Sequence, residues 1–138
     1  MIAGTSSADA FELSTRVLLD DIDELGHVNN TVYLRWVQDA ATAHWQAVAS
    51  AEDQAAIFWV VMRHEIDYKA PAFADDEILL RTWVGTASRL TFERHTEICR
   101  ARDRQLLAQA RTLWCPISSA TGRPTRVSAE VRGRFSTA

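Results

Sequence analysis

The residues best placed to do chemistry lie in one short run, DIDELGHVNN at 21–30. It holds two carboxylates one residue apart, a glycine, a histidine and two asparagines, directly before the aromatic-rich TVYLRWVQDAATAHW. Calcium is the first chemistry to test, since Asp21, Asp23 and Gly26 match positions one, three and six of a helix-loop-helix calcium loop. The match fails at positions five and twelve, which fall on Leu25 and Val32 and offer no oxygen ligand. A second use is local: acidic side chains ahead of a helix are favoured by its partial positive charge, by about 0.3–1 kcal/mol each. The third is acyl-group hydrolysis. A helix beginning near Asn30 presents unpaired N–H groups to a developing oxyanion. A carboxylate brought beside them by a glycine turn can act as base or nucleophile on the carbonyl carbon. Spacing alone leaves the second and third uses open.

Other chemistries find little support. The chain has no GxGxxG, GxxxxGK[ST], GxSxG or HExxH motif. His64 and His95 sit in strand-like patterns without a metal partner at sensible spacing, so no metal site is expected. His44 falls on the apolar side of a helical pattern and is expected to pack in the core or at an interface. Cys99 and Cys115 lie 16 apart without a CxxC, which points to buried reduced thiols. A net charge of -3 and scattered basic residues argue against nucleic acid as a partner, and RARDR at 100–104 reads as an exposed turn. No stretch reaches the roughly 20 apolar residues of a membrane span, and MIAGTSSADAFE lacks the order of a signal peptide. A cytoplasmic protein with no membrane partner is the expectation.

The elements that must position the loop follow from periodicity. At 138 residues the chain is expected to be one domain over 1–138, irregular at about 1–10 and 133–138. FELSTRVLL at 11–19 reads as a strand ending at Asp20 or Asp21. From Thr31 to about Ser50 apolar residues recur at three- and four-residue steps, a long amphipathic helix that Asn29 or Asn30 can cap. Four further strands are expected over 57–70, 77–84, 89–99 and 105–118, joined by PAFADD, GTAS and RARDR. Such short connections favour antiparallel neighbours. TGRP at 121–124 then makes a turn before a tail of about one helical turn. An α+β domain results, a sheet curled around one long helix, with Trp59, Trp83 and Trp114 large enough to fill the shared face.

Asp23, Gly26, His27, Val28, Asn29, Asn30 and Tyr33, in D-x-D-x-x-G-H-V-N-N-x-x-Y, resemble the signature of the 4-hydroxybenzoyl-CoA thioesterase-like branch of hotdog-fold acyl-CoA thioesterases. HEIDYKAPAFADDEILLRTWV is similar to that family's second and third strands, and CPISSATGRP to its last strand and turn, so the resemblance runs from about Phe11 to Arg126. It implies a curled, antiparallel five-stranded sheet around a central helix, assembled as homodimers or homotetramers with sites at the subunit interface. It implies hydrolysis of an acyl-CoA thioester without metal or organic cofactor, coenzyme A entering only as part of the substrate. By position Asp23 matches the catalytic carboxylate and Asn30 the residue whose backbone N–H faces the thioester carbonyl. His27, Asn29 and Tyr33 are the candidates for substrate contact, His27 equally for a bond to nearby backbone and Tyr33 equally for the core beside an acyl pocket. Gln38 stands where many relatives carry a glutamate and Ala41 where an arginine is common. Asp39, on the helix flank, is the competing acid. Arg63, Lys69, Arg89 and Arg123 are the candidates for the coenzyme A phosphates. Release of an acyl chain from a carrier protein, and a non-catalytic acyl-thioester binding module, are the alternative functions.

Overall fold

Alternation with period two dominates the chain after residue 56, and the computed structural model, which describes residues 9–137, turns it into a sheet. The strands are β1 (Phe11–Arg16), β2 (Ile57–Tyr68), β3 (Glu77–Ala87), β4 (Phe92–Arg100) and β5 (Leu106–Ser118). They form one five-stranded sheet in the order β1-β3-β4-β5-β2, every neighbouring pair antiparallel. Inward positions are apolar or small, such as Ile78, Leu80, Ile98, Leu107 and Ala108, all essentially unexposed. Outward positions of the central strands carry charges that pair across strands, Arg81 with Glu12 and Glu97, and Arg111 with Glu65 and Glu93. A sheet so patterned has one face to bury.

Helix α1 (Asn30–Val48) lies on that face. Its 19 residues follow the periodicity of the sequence, and its buried stripe includes Tyr33, Trp36, Val37, Ala40, His44 and Trp45. The stripe meets two separate clusters. Trp36, Val37 and Ala40 pack with Leu80, Ile98 and Leu107, whereas Trp45 packs with Val84, Phe92, Val131 and Phe135. The two ends of one helix therefore sit over different chemistry.

Several expectations are corrected. The first strand stops at Arg16 rather than at Asp20 or Asp21, and a 3-10 turn covers Leu19–Asp21. Asp21 ends the strand by accepting the Leu18 amide at 2.9 Å, leaving Leu18 and Leu19 exposed. Helix α1 ends at Val48, and a second helix, α2 (Ala51–Ala56), starts where Ser50 accepts the Asp53 amide at 3.0 Å. Residues 133–137, expected to be irregular, belong to α3 (Ala129–Thr137), whose Val131 and Phe135 are buried. The single long helix is thus joined by two shorter ones, of which α3 adds Val131 and Phe135 to the core while α2 buries no residue. Trp83 does not fill the shared face: it alternates with inward Thr82 and Val84, and stacks outside on His95 at 5.6 Å. Trp59 and Trp114 do lie on the inner side, against the second cluster. Cys99 and Cys115 are buried free thiols. No helix among the described residues is long and apolar enough to cross a membrane.

Candidate active site

The loop from Asp21 to Asn30 is built by hydrogen bonds within itself. Asp23 and His27 are joined through the backbone, Asp23 N–H donating to His27 O at 2.8 Å, and Gly26 N–H donates to Asp23 O at 3.1 Å. Gly26 completes this tight turn at φ 83°, a left-handed conformation that glycine adopts without strain. The Asn29 amide then donates to the Asp21 carbonyl at 2.8 Å, and the Val28 amide to the Ala72 carbonyl at 3.0 Å. The loop is pinned at both feet.

Its two aspartates have different duties. Asp21 is 3% exposed, accepts the Leu18 amide, and pairs with Arg35 at 3.0 Å. Both of its oxygens are spent inside the fold. Asp23 is half-buried, and its Oδ1 accepts the Leu25 amide at 2.9 Å and the His27 amide at 3.4 Å. Its Oδ2 accepts no bond among the described residues, so the loop holds one oxygen still and leaves the other available. The helix start shows the same division. Asn29 is the cap, its Oδ1 accepting the Thr31 amide and hydroxyl at 2.9 Å each, and its carbonyl accepts the Val32 amide. That leaves the Asn30 backbone N–H without an acceptor among the described residues, at the positive end of a 19-residue helix.

Asp23, His27, Asn29, Asn30 and Tyr33 all line one hollow of about 510 Å³, together with Tyr68 and Lys69. Tyr33 is 2% exposed, its hydroxyl accepts the Ala72 amide at 3.1 Å, and burial pushes its phenol above the usual range. It is a wall and an anchor for the segment after β2. Tyr68 crosses its ring at 5.4 Å and donates to the Asn30 carbonyl at 3.2 Å. His27 meets Phe73 edge-on at 5.6 Å. Lys69 stands at this hollow, whereas Arg63 pairs with Glu65 elsewhere on the sheet, and Arg89 and Arg123 sit in exposed turns. Gln38 and Asp39 do not line the hollow. Among the described residues no three His, Cys, Asp or Glu side chains gather as a metal-holding group.

One charged residue that sequence reasoning passed over stands at the other end of α1. Arg94, on β4, is 5% exposed and donates through Nη1 to His44 Nδ1 at 2.9 Å and to Thr82 Oγ1 at 3.0 Å. Arginine only donates, so His44 Nδ1 is the acceptor and the ring is neutral. Burial first, then the Arg94 charge, push His44 down to about 3. Burial also lowers Arg94, to about 10, which leaves it charged at neutral pH. No carboxylate pairs with it among the described residues. The Phe135 ring 5.7 Å away offers a cation-π contact worth about 0.5–2 kcal/mol, against several kcal/mol for desolvating an unpaired ion. The signal was present in the alternation of FERHTEIC: Phe92, Thr96 and Ile98 face inward, and Arg94 shares their parity.

The fold has many solved counterparts. A 1,4-dihydroxy-2-naphthoyl-CoA thioesterase from Synechocystis superposes with a TM-score of 0.79 at 23% identity, over 91% of this chain and 95% of that one. A thioesterase from Thermus thermophilus, complexed with coenzyme A and zinc, gives 0.78 at 24%, over 90% of each chain. A Staphylococcus aureus protein in complex with coenzyme A gives 0.79 at 12%, over 91% and 80%. No curated protein matches the sequence. The sheet order and the helix on its inner face are those of the hotdog fold. Residues 17–135, which contain the loop, α1 and all but the first strand of the sheet, match the model of one family. The chain belongs to the thioesterase-like superfamily and is a thioester hydrolase.

Proposed function

We propose that this hydrolase cleaves an acyl-CoA thioester to the free acid and coenzyme A at the Asp23–Asn30 loop. The observation that carries the reading is the pairing, in one hollow, of a carboxylate oxygen and a helix-start N–H that have no partner among the described residues. The Asn30 N–H donates to the thioester carbonyl oxygen as it gains charge. Asp23 Oδ2 then either takes a proton from water as that water bonds to the carbonyl carbon, or bonds to the carbon itself to give a mixed anhydride that water opens. In both routes the C–S bond breaks and coenzyme A leaves as thiolate. The two solved counterparts that hold coenzyme A support a coenzyme A substrate, and Lys69, which lines the hollow, is the residue proposed to meet its anionic part.

A second copy is part of the proposal. β2 is a 12-residue edge strand, one side of which pairs with no strand among the described residues. Phe58, Val60 and Met62 are exposed along it, 49%, 42% and 61%. An edge of that length and apolarity is a template for another strand, and a two-fold antiparallel pairing of β2 with itself would cover it. A homodimer built this way sets the loop of one copy beside the opposite end of the other. The reaction is assigned to the cytoplasm, without a metal or organic cofactor.

The test is a thiol-release screen across short, long, branched and aromatic acyl-CoAs, run beside Asp23→Asn. Release by the native chain that the variant loses supports the reading. Binding without release for any thioester would make the chain a binding module, and activity on carrier-bound substrates alone would move it to a carrier-protein thioesterase.

A further inference from the structure

A half-open cavity at the far end of α1 has a volume of about 310 Å³ and is walled by Trp45, Trp59, Phe92, Trp114 and Phe135, with Arg94 among its lining. Its polar groups set it apart from an ordinary gap in a core. Arg94 spends both hydrogens of Nη1 on His44 and Thr82, while its Nη2 and Nε meet no acceptor among the described residues. The indole N–H groups of Trp59 and Trp114 are buried and unpartnered as well. Thr42, Gln46 and Gln54 stand at the exposed side of the lining, whereas Arg94, which carries a full positive charge, is its buried polar group. Buried donors of that kind are satisfied by an anionic acceptor.

Within one copy the cavity and the Asp23 loop lie at opposite ends of β2, at Ile57–Trp59 and at Tyr68–Lys69. Along α1 the Asn30 N–H and the His44 that Arg94 holds are 14 residues apart, roughly 21 Å, more than a short acyl group spans. A two-fold pairing of β2 edges removes that distance, because the first residues of one strand then adjoin the last residues of the other. Resting on the thioesterase reading and on that pairing, we infer that the cavity of one copy receives the far end of the acyl group held at the loop of its partner, and that this end carries a carboxylate. The substrate class is the coenzyme A monothioesters of dicarboxylic acids. The carboxylate lies against Arg94, and the aromatic walls hold the carbon skeleton. A methyl-terminated acyl group would fill the same space and leave the Arg94 donors unmet, the arrangement by which a polar pocket rejects an analogue lacking the matching group.

Matched pairs test this: hexanoyl-CoA against adipoyl-CoA, and benzoyl-CoA against terephthaloyl-CoA. The native chain is expected to favour the carboxylated member of at least one pair by about 100-fold in kcat/KM, and the pair that does so separates an alkyl from an aryl substrate. In Arg94→Met the ratio should fall to within about 3-fold of unity. Equal kcat/KM within both pairs, or a preference that survives Arg94→Met, overturns the inference. Since a buried substitution can impair folding, a second measurement uses the native chain alone: quenching of tryptophan fluorescence by benzoate and by neutral benzamide. Benzoate should bind at least about 10-fold more tightly, and equal binding, or none of either, overturns the anion assignment. This titration needs no turnover. Benzoate-selective binding with no thiol release would sink the hydrolase reading while the anion site stands, and turnover of uncarboxylated thioesters alone would do the reverse.

Discussion

At the Asn30 end of α1 the reactive polar groups are held by backbone amides of one short loop, whereas at the Trp45 end a buried guanidinium is held by side chains from α1 and β3. The first end keeps its carboxylate near water and spends few contacts on it. The second takes a cation out of water among aromatic rings and leaves part of its donor set unmet. The difference separates two kinds of task. Developing charge at a carbonyl needs donors aimed at one point, which a helix start supplies from backbone geometry. Discrimination among acyl groups needs a shaped and desolvated pocket, which only packed side chains from several elements supply.

The largest expected effect lies at the loop. Asp23→Asn should lower kcat by about 100-fold or more while leaving the thermal midpoint near that of the native chain, because an asparagine oxygen can still accept the Leu25 amide. Undiminished turnover by a folded variant would remove Asp23 from the mechanism. The packed end should answer in stability instead. Phe135→Ala empties a buried ring from the second cluster and should cost about 3–5 kcal/mol in denaturant unfolding. A loss below about 1 kcal/mol would mean that α3 adds little to the core.

The third prediction concerns pH. His44 ionises near 3 in the fold, against 6.5 for an unburied histidine. As pH falls below 6.5, the unfolded chain takes up this proton first, so stability that is complete above 6.5 is lost as pH descends toward about 3. At about pH 4.5 the loss should be about 2–3 kcal/mol. Urea midpoints of the native chain and His44→Gln, compared across that range, should diverge toward neutral pH and converge in acid; parallel curves would show that His44 titrates normally.

The smallest effect sharpens the contrast within the loop itself. Asp21→Asn, two residues from the reactive carboxylate, should cost about 1–2 kcal/mol in stability, since it weakens a charged acceptor for the Leu18 amide and Arg35. A rate loss as large as that of Asp23→Asn would mean the two acids act as one unit.

Much of the frame was legible in the chain. The long helix follows from apolar residues at three- and four-residue steps, and four of the strands from alternation, with most ends displaced by a few residues at most where a cap or a turn competed. The early end of β1 was hidden because Val17, Leu18 and Leu19 look like strand residues, and only the Asp21 cap breaks the pattern. The tail was hidden because AEVRGRFST has little helical preference of its own; its order comes from burying Val131 and Phe135 against the far end of α1. Trp83 was placed on the wrong face because size alone does not choose a face, whereas its parity with inward Thr82 and Val84 does.

The turn at Asp23 and the cap at Asn29 were decided by the sequence itself, since the bonds that Asp23 and Asn29 side chains accept join residues no more than four apart and the helix start follows from the residues after it. The Arg94 site was decided by the tertiary structure alone. Arg94 and His44 are 50 residues apart, and their contact depends on which strands pair and on which face of the sheet α1 covers. Burial of a charge is a property of everything packed around it, so no short stretch of sequence encodes it.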